Sequence, residues 1–393
     1  MAKTHQVDGN QLTLLQNGAV YFSQLCADID AARSFICLET YIFAADQTGR
    51  MVSDALQKAA RRGVAVRVLM DGFGSADLPQ SWLAELHAAG VQVQWFRREI
   101  SPFTWNSNRK RRLLRMHRKL VVLDGEVAFV GGINIIDDTT RNRDFAATRL
   151  DFAVRVQGSV AGEIHVVMRR LWSAVSWASQ HMRGKQIERF IVDAARPATL
   201  SGITILLRDN LRHRRDIERA YLRAIAGAQH EVVIANAYFL PGRVFRRTLK
   251  QAAKRGVRVV LLLQGHVEYR LQHYATQALY EQLLAAGVEI YEYQASYMHA
   301  KVAVVDGLWA TVGSSNIDPF SLLLAREANL AVHDAAFAEA LRDKLFEAIS
   351  QDARRIEPEH WSRLGWGARL LARLSYAVVR MMIGVSGYGK RVR

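Results

Sequence analysis

Two halves of this chain repeat one another, and the repeat restricts the fold more than any other feature of the sequence. Each half begins with an apolar run that ends in an aromatic residue, at positions 35–41 and 232–238. A helix-forming stretch then closes on alanines, basic residues and a glycine, Gly63 or Gly256, before a β-branched run. Alternating strands and helices favour parallel strands with helices packed against the faces of a sheet. The repeat therefore predicts an α/β fold made of two pseudo-twofold-related α/β/α halves.

The same pattern predicts three segments. Residues 1–190 form the first half and residues 200–350 the second, with a join near residues 184–202, where polar residues, a proline and a glycine interrupt the pattern. Residues 351–393 have no counterpart in the first half and are expected to form a tail. An insertion in the first half contains the basic run 109–115, which would attract an anionic substrate unless it is an ordinary solvated loop.

The strongest functional signal is a motif that occurs once in each half with identical spacing. It combines a histidine, a lysine two residues later, an aspartate, a glycine followed by glycine or serine, and an asparagine. Its members are His117, Lys119, Asp124, Gly131, Gly132 and Asn134 in the first copy, and His299, Lys301, Asp306, Gly313, Ser314 and Asn316 in the second. The two copies are predicted to build one shared active site at the interface between the halves.

Each copy predicts a hairpin that gathers its side chains on one surface. His117 and Lys119 alternate along a strand and so point to the same side. The Asp-Gly pair that follows is typical of a two-residue turn, which would pair residue 123 with residue 126 and place His117 opposite Gly132. The small residue opposite each histidine would let a phosphate approach closely.

These residue types suit transfer chemistry on a phosphodiester. A neutral imidazole attacks phosphorus and forms a phosphohistidine, and a second histidine protonates the leaving alkoxide and then activates the incoming hydroxyl. Lysine and asparagine hold the charge on the non-bridging oxygens. The predicted catalytic residues are His117, Lys119, Asp124, His299, Lys301 and Asp306, and the predicted phosphate ligands are Lys119, Asn134, Lys301 and Asn316. The sequence has no convincing metal-ligand spacing and no nucleotide-binding loop.

Four acidic residues accompany the motif. Asp151 and Glu327 begin equivalent strands, and a carboxylate there is predicted to bind the far imidazole nitrogen and fix its tautomer. The alternative for either one is an exposed charge at a strand start. Asp124 and Asp306 are counted with the catalytic motif, but their turn position explains them without chemistry and favours a structural role.

The formal net charge of +16 points to an anionic partner, either nucleic acid, an acidic membrane surface or a phosphate-bearing substrate. Two cysteines suggest neither a disulfide framework nor a zinc site, and they fit a reducing compartment. The N-terminus has no apolar core of a signal peptide, and no window is long and apolar enough to span a bilayer. A protein with these features is expected to work at the surface of a membrane if it works at a membrane at all.

The tail supports a lipid substrate independently. From Trp361 onward, tryptophans, leucines and methionines alternate with arginines in a basic amphipathic pattern. Such a segment binds headgroups with its aromatic residues and anionic lipid with its arginines. The alternative is a C-terminal helix packed on the protein's own core, with the arginines facing water.

The paired motif closely resembles that of the phospholipase D superfamily, over roughly residues 10–350. Within that superfamily the segments 116–134 and 298–319 look most like those of bacterial cardiolipin synthases, of the shorter type without N-terminal transmembrane helices. The resemblance implies that a phosphatidyl group moves from one phosphatidylglycerol to another, giving cardiolipin and glycerol, with no metal or organic cofactor. It also implies His117 as the nucleophile and His299 as the acid and base.

The expected partners are anionic phospholipid, namely phosphatidylglycerol, and the membrane surface, with no nucleic acid and an open oligomeric state. The expected location is peripheral, on the cytoplasmic face of the cell membrane. Alternatives are a phospholipase D-type hydrolase, another phosphatidyltransferase, a phosphodiesterase or nuclease, and a non-catalytic binder of nucleic acid or membrane. The duplicated motif argues against the non-catalytic binder, since binding alone needs no paired histidines.

Overall fold

The structure, a computed structural model, describes residues 3–97, 115–138, 145, 147–181, 202–209, 213–318, 321, 325–359 and 366–385. The first half comprises β1 (Thr4–Val7), β2 (Asn10–Gln16), α1 (Asn17–Ala31), β3 (Phe35–Thr40), α2 (Gln47–Arg61), β4 (Ala65–Asp71), α3 (Gln80–Ala88), β5 (Gln92–Phe96), β6 (Arg115–Met116), β7 (Leu120–Leu123), β8 (Val127–Gly131), β9 (Phe152–Gln157) and α4 (Ser159–His181). Apart from Arg115, the predicted basic run lies outside the described residues, as does most of the predicted join.

The second half repeats this order. It comprises β10 (Ile203–Arg208), α5 (Asp216–Gly227), β11 (Glu231–Asn236), α6 (Arg243–Lys254), β12 (Arg258–Gln264), α7 (Arg270–Gln277), α8 (Tyr280–Leu284), β13 (Glu289–Tyr293), β14 (Lys301–Val305), β15 (Trp309–Gly313), β16 (Ala325–His333), α9 (Ala335–Asp352), β17 (Ala353–Arg355) and α10 (Trp366–Val385).

Each half contains one mixed sheet. The strand order is β1-β2-β9-β8-β7-β3-β4-β5 in the first and β10-β16-β15-β14-β11-β12-β13-β17 in the second. The strands β3, β4 and β5 are parallel, as are β11, β12 and β13, and the strands of the motif hairpins join them in antiparallel fashion. The predicted parallel strands are therefore present, but only where helices connect successive strands, at β3–β5 and β11–β13.

Helix α2 shows how the repeated sequence builds the outer layer. The Asp46 carboxylate accepts from the Gly49 amide (2.9 Å) and caps its start. Gly63 follows its end with a φ of 93°, a left-handed conformation that favours glycine. Between them Val52 and Leu56 are fully buried against the first sheet. Burying each such side chain stabilises the fold by roughly 1.5–3 kcal/mol.

The two halves share a core. One continuous hydrophobic cluster contains Val130 and Val154 from the first sheet, Val302 and Leu330 from the second, and residues of α4 and α9. Separate clusters lie under the outer helices of each half. Because the shared cluster contains residues from both sheets, the halves pack on each other through apolar surface.

The motif hairpins form, but their register differs from the predicted one. Leu123 pairs with Val127, and in the second copy Val305 pairs with Trp309, so each turn contains three residues instead of two. Asp124 and Gly125 have the positive φ values of the expected turn, 53° and 74°. The carbonyl of the next residue, Glu126, instead accepts from the Gly158 amide (2.9 Å). In the first copy this bond takes the third residue out of the ladder. In both copies the three-residue turn shifts the residue opposite the histidine by one.

The predicted tail begins too early. Residue 351 lies within α9, and β17 pairs with the edge strand β13 of the second sheet. The second half therefore extends to at least Arg355. Helix α10 packs on α7 through a narrow stripe formed by Ala372, Ser375 and Val379. Among the described residues, no helix combines the length and apolar character needed to cross a bilayer.

Candidate active site

The two motif histidines are each held by a carboxylate from the opposite half. His117 Nδ1 lies 3.0 and 3.1 Å from the two carboxylate oxygens of Glu327. His299 Nδ1 lies 2.7 Å from Asp151 Oδ2. The carboxylates predicted to orient the histidines do contact them, and the contacts cross the interface in both directions. Because Nδ1 is occupied in each ring, Nε2 is the nitrogen available for chemistry.

Backbone pairing between the halves produces this crossing. The His117 amide donates to the Arg326 carbonyl (2.9 Å), and β6 runs parallel to the start of β16. In the same way the His299 amide donates to the Leu150 carbonyl (2.8 Å). Each histidine is therefore fixed beside the residue that precedes the other half's carboxylate.

The small residues after the motif glycine have a different role from the predicted one. A Cβ atom added to Gly132 would lie 2.3 Å from Asp151 Oδ1, so the carboxylate occupies the space that a side chain would need. At the equivalent position the Ser314 hydroxyl donates to Glu327 Oε2 (2.5 Å). These positions accommodate and orient the carboxylates; the contacts do not support the idea that they make room for phosphate.

Two buried lysines lie beside the histidines. Lys119 Nζ donates to the His117 carbonyl (2.8 Å), and Lys301 Nζ donates to the His299 carbonyl. Burial lowers the pKa of Lys119 to about 7 and that of Lys301 to about 8, although Glu327 and Asp151 oppose the change. A bound phosphodiester would supply the negative charge that favours the protonated ammonium groups.

The predicted asparagine ligands are buried next to the hairpins. Asn134 accepts from the Ile42 amide through its side-chain oxygen (3.3 Å), which leaves its NH2 group to donate elsewhere. The Oδ1 atom of Asn316 has no hydrogen-bond partner among the described residues. These contacts are compatible with amide donation to a ligand.

Burial also lowers the pKa of both histidines. For His117, Glu327 opposes the effect of burial, whereas Lys301 and Arg149 reinforce it for His299, whose pKa falls well below its ordinary value. Both imidazoles are therefore neutral at neutral pH before an anion binds. Tyr41 contacts the His117 ring edge-on, with ring centroids 4.8 Å apart.

Asp124 and Asp306 lie at the turns of the hairpins and contact backbone only. The Asp124 carboxylate accepts from the amides of residues 33–35 at 2.8–2.9 Å. Asp306 accepts from the amides of residues 229–231 at 2.8 Å. Each aspartate ties its hairpin to the start of the neighbouring parallel strand. These contacts support the structural interpretation of the two residues and not the catalytic one.

Several residues that position the site were missed by sequence reasoning. Asp71 accepts from the Met116 amide (2.8 Å) and Gln264 from the Met298 amide (2.7 Å), so each fixes the residue before a catalytic histidine. Both close a β-branched run just before a glycine, a repeat that could have identified them. Arg149, whose charge acts on Asp151 and His299, has no such signal.

The described residues contain no group of three or more histidine, cysteine, aspartate or glutamate side chains that could hold a metal ion.

Comparison with known proteins places this site in a family. Residues 25–172 and 221–349 match the family described as "Cardiolipin synthase, PLD-like domain". The chain belongs to this family. Cardiolipin synthase B of Escherichia coli (strain K12) is 36% identical over 385 residues, which cover 97% of this chain and 90% of the relative. A probable cardiolipin synthase of Bacillus subtilis (strain 168) is 30% identical over 358 residues, which cover 91% of this chain and 69% of the relative.

A solved structure shares the architecture. The crystal structure of phosphatidylserine synthase from Haemophilus influenzae Rd KW20 aligns with a TM-score of 0.73 over 95% of this chain and 94% of that chain, at 13% identity. At that identity the likeness shows the fold alone. The predicted resemblance to cardiolipin synthases and the two-half fold are thus confirmed, and the predicted enzyme class, a phosphatidyltransferase, is that of the family.

Proposed function

We propose that this chain synthesises cardiolipin by moving a phosphatidyl group from one phosphatidylglycerol to another through a phosphohistidine at His117, with release of glycerol. The observation that supports the proposal most is the pair of neutral histidines, each fixed through Nδ1 by a carboxylate of the other half. Family membership supports the phospholipid substrate. The remaining steps follow from the chemistry of these groups.

In the first step His117 Nε2 attacks phosphorus, an N–P bond forms, and the bond from phosphorus to the glycerol oxygen breaks. His299 gives its Nε2 proton to that oxygen, and glycerol leaves. In the second step His299 takes the proton from a hydroxyl of the second phosphatidylglycerol. The new O–P bond forms as the N–P bond breaks, and cardiolipin is released. Lys119 and Lys301 hold the charge of the phosphoryl oxygens in both steps.

The two carboxylates support this division of labour. Ser314 donates a hydroxyl hydrogen bond to Glu327, and the carboxylate in turn accepts from an Nδ1–H on His117, which leaves the lone pair of that ring at Nε2. Asp151 lies against Gly132 instead, and burial raises its pKa to about 7. When Asp151 carries a proton, it donates to Nδ1 of His299, whose Nε2 then bears the hydrogen that a general acid needs. As Nε2 gives up that hydrogen, the Asp151 proton passes to Nδ1, so the ring stays neutral, and both transfers reverse in the second step.

The proposal is tested with purified protein and phosphatidylglycerol vesicles, by following lipid products with His117→Ala and His299→Ala as variants. His230→Ala, an exposed histidine outside the site, is the matched control. Cardiolipin and glycerol from the wild type and the control, lost in both active-site variants, are the expected result. Phosphatidic acid as the sole product would indicate a hydrolase, and cleavage of DNA or RNA without lipid turnover would replace the proposal with a nuclease.

We also propose that α10 holds the enzyme on an anionic membrane surface. Six large apolar residues of this helix are 40–63% exposed, namely Leu370, Leu371, Leu374, Val378, Met381 and Met382. At about 100° per residue they lie on one side of the helix, away from the stripe that packs on α7. A helix packed only for its own core would bury these residues, so the outward apolar face supports contact with lipid.

Charge supports the same partner. Arg369, Arg373 and Arg380 share one side of α10, between the packed stripe and the exposed apolar face, and the helix contains no acidic residue. Arginines beside an apolar face bind the headgroups of anionic lipids. Free cysteines and the anionic cytoplasmic leaflet favour the cytoplasmic face as the side to which the enzyme binds.

Flotation of the protein with vesicles tests this second proposal. Binding to phosphatidylglycerol vesicles and not to phosphatidylcholine vesicles is expected, with a substantial loss in Leu374→Asp because a charge would enter the apolar face. Val20→Asp, at an exposed apolar site on α1, is the matched control. Equal binding of wild type and Leu374→Asp would rule out α10 as the membrane contact.

A further inference from the structure

A small pocket lies beside the catalytic residues of the second half. Its cavity volume is about 20 Å³, which is enough for one or two hydroxyl-sized groups. Its polar lining comprises Tyr238, Gln264, His266, Glu268, Gln272 and His273. The pocket adjoins the site because Gln264 binds the Met298 amide next to His299. The charge of Glu268 also acts on Lys301, where it opposes the lowering of the lysine pKa by burial.

The first half has no matching donor at this place. Asp71 occupies the position equivalent to Gln264. Its carboxylate accepts hydrogen bonds from the amides of Met116, Phe73 and Gly74. Gln264 keeps the corresponding acceptor, Oε1, for the Met298 amide. Its second group, the Nε2 amide, is buried and has no hydrogen-bond partner within the described part of the chain. The second half thus directs one unsatisfied donor into the pocket wall.

An acceptor lies in the same pocket. Glu268 is held by the Tyr238 hydroxyl, which donates to Oε2 (2.6 Å). A carboxylate whose charge acts on the phosphate-binding Lys301 repels an anionic group, so its presence calls for a ligand group that donates a hydrogen bond. A buried amide donor and a carboxylate acceptor together match an alcohol, because a hydroxyl both accepts and donates.

We infer that this pocket binds a free hydroxyl of the glycerol headgroup, with Gln264 Nε2 as donor and Glu268 as acceptor. This inference rests on the proposed function, since it names the part of the substrate that the second half recognises. A lipid headgroup and a free glycerol molecule present the same hydroxyl, and the assays below separate the two.

In-line displacement makes one subsite serve both steps. The leaving glycerol departs opposite His117 Nε2, and the incoming hydroxyl attacks the phosphohistidine from that same side. The pocket lies on the His299 side, so His299 gives its proton to the departing oxygen and takes one from the arriving oxygen.

A hydroxyl pocket also favours transfer over hydrolysis. Water reaches the phosphohistidine without help, whereas a glycerol headgroup gains two hydrogen bonds that position its reacting hydroxyl. Propanol has the reacting hydroxyl and lacks the others, so comparison of glycerol with 1-propanol as acceptors isolates the contribution of the pocket.

The test uses the full chain with phosphatidylglycerol vesicles and either radiolabelled glycerol or radiolabelled 1-propanol as acceptor, so that transfer to glycerol is seen as label entering the lipid. The variants are Glu268→Gln, which keeps the shape, and Gln264→Glu, which keeps the acceptor for the Met298 amide and removes the donor. Glu339→Gln, exposed on α9, is the control. Each pocket variant is expected to lower the ratio of kcat/KM for glycerol over propanol by about tenfold, whereas Glu339→Gln is expected to leave this ratio and both rates unchanged.

A second assay concerns the leaving group. Hydrolysis of phosphatidylglycerol is compared with hydrolysis of phosphatidylpropanol, and the same loss of preference is expected because one subsite serves both steps. An equal loss for glycerol and propanol, or an unchanged ratio, would overturn the inference, and a loss in only one of the assays would overturn the shared subsite. If the wild type forms cardiolipin but the pocket variants leave the glycerol-to-propanol ratio unchanged, the pocket inference alone is wrong. If the wild type transfers to neither alcohol, the proposed function is wrong and the pocket inference fails with it.

Discussion

The two halves have the same backbone plan but differ in the side chains around the reacting atoms. Both use an aspartate at the hairpin turn to hold three amides of the neighbouring strand. The surroundings of the histidines differ, however. His117 is held by Glu327, which Ser314 contacts, whereas His299 is held by Asp151, which lies against Gly132. Asp71 of the first half is replaced by Gln264 in the second. The comparison teaches that the repeat preserves the backbone and the motif histidines, lysines and asparagines, and diversifies the side chains that surround and orient them.

The interiors differ as well. In the first half Arg118 forms a buried ion pair with Glu39, at 2.9 Å between Nη2 and Oε2. The second half has Ala300 between its histidine and lysine, in the place of Arg118. Burial raises the pKa of Glu39, which Arg118 opposes. The first half therefore carries a buried ion pair next to the site, where the second half has the uncharged Ala300 and Asn236.

The largest effect is expected from the histidines themselves. Loss of His117 removes the nucleophile and loss of His299 the acid and base, so His117→Ala and His299→Ala each lower cardiolipin formation by about four orders of magnitude. The halves are told apart by quenching with a denaturing detergent at neutral pH, which preserves a phosphohistidine, after reaction with phosphatidylglycerol labelled in its phosphatidyl group. Labelled phosphoenzyme is expected in His299→Ala and not in His117→Ala. The reverse pattern would exchange the roles of the two halves.

Next in size are the carboxylates. Glu327→Gln removes the carboxylate that holds Nδ1 of His117, and Asp151→Asn removes the group that supplies a proton to Nδ1 of His299, so each lowers kcat by about 10³-fold. Since the contacts cross the interface, Glu327→Gln should impair the nucleophile His117, whereas Asp151→Asn should slow the proton transfers of His299 in both steps. Rapid-quench measurements separate the two steps. A first step that does not depend on Glu327 would contradict the crossed arrangement.

A smaller difference is expected at the paired small residues. Gly132→Ala places a methyl group against the Asp151 carboxylate and should lower activity by about 100-fold through misplacement of His299. Ser314→Ala removes one hydrogen bond to Glu327 and should cost about tenfold. Activity and melting temperature of both variants are measured side by side. Equal losses would mean that the halves tolerate change alike at this position.

The pH profile should show the smallest effect. The free enzyme needs neutral His117, whose pKa is lowered by burial, so the acid limb of kcat/KM lies below pH 6.5. It also needs protonated lysines, so kcat/KM falls as pH rises through about 7 for Lys119 and about 8 for Lys301. Lys119→Arg, which does not titrate in this range, should move the alkaline limb towards 8. If Lys119→Arg leaves the alkaline limb of kcat/KM unchanged, that limb belongs to Lys301 of the second half alone.

Much of the site was predictable because its spacing is local. Alternation along a strand places His117 and Lys119 on one side, and two adjacent residues, Asp and Gly, are enough to predict the turn. The register was not predictable, since Glu126 leaves the ladder to bind the amide of Gly158, more than thirty positions further along the chain. The partner of each histidine could not be assigned either, because Asp151 and Glu327 are equivalent in sequence and only the packing of the halves decides which ring each one meets.

The tail illustrates the other limit. Its composition predicted an amphipathic helix, but composition alone does not say which side packs. Small residues, Ala372 and Ser375, allow close approach to α7 and leave Leu374 outside. The direction of the apolar face is therefore a property of the packed chain and not of the helix alone.

The crossed carboxylates also make the two halves depend on each other. A half by itself holds a histidine with no carboxylate at Nδ1 and presents no acid or base across from it. The backbone bonds that fix His117 to Arg326 and His299 to Leu150 require both halves as well. Neither half alone therefore contains a complete site, and contact between them completes both histidine–carboxylate pairs together.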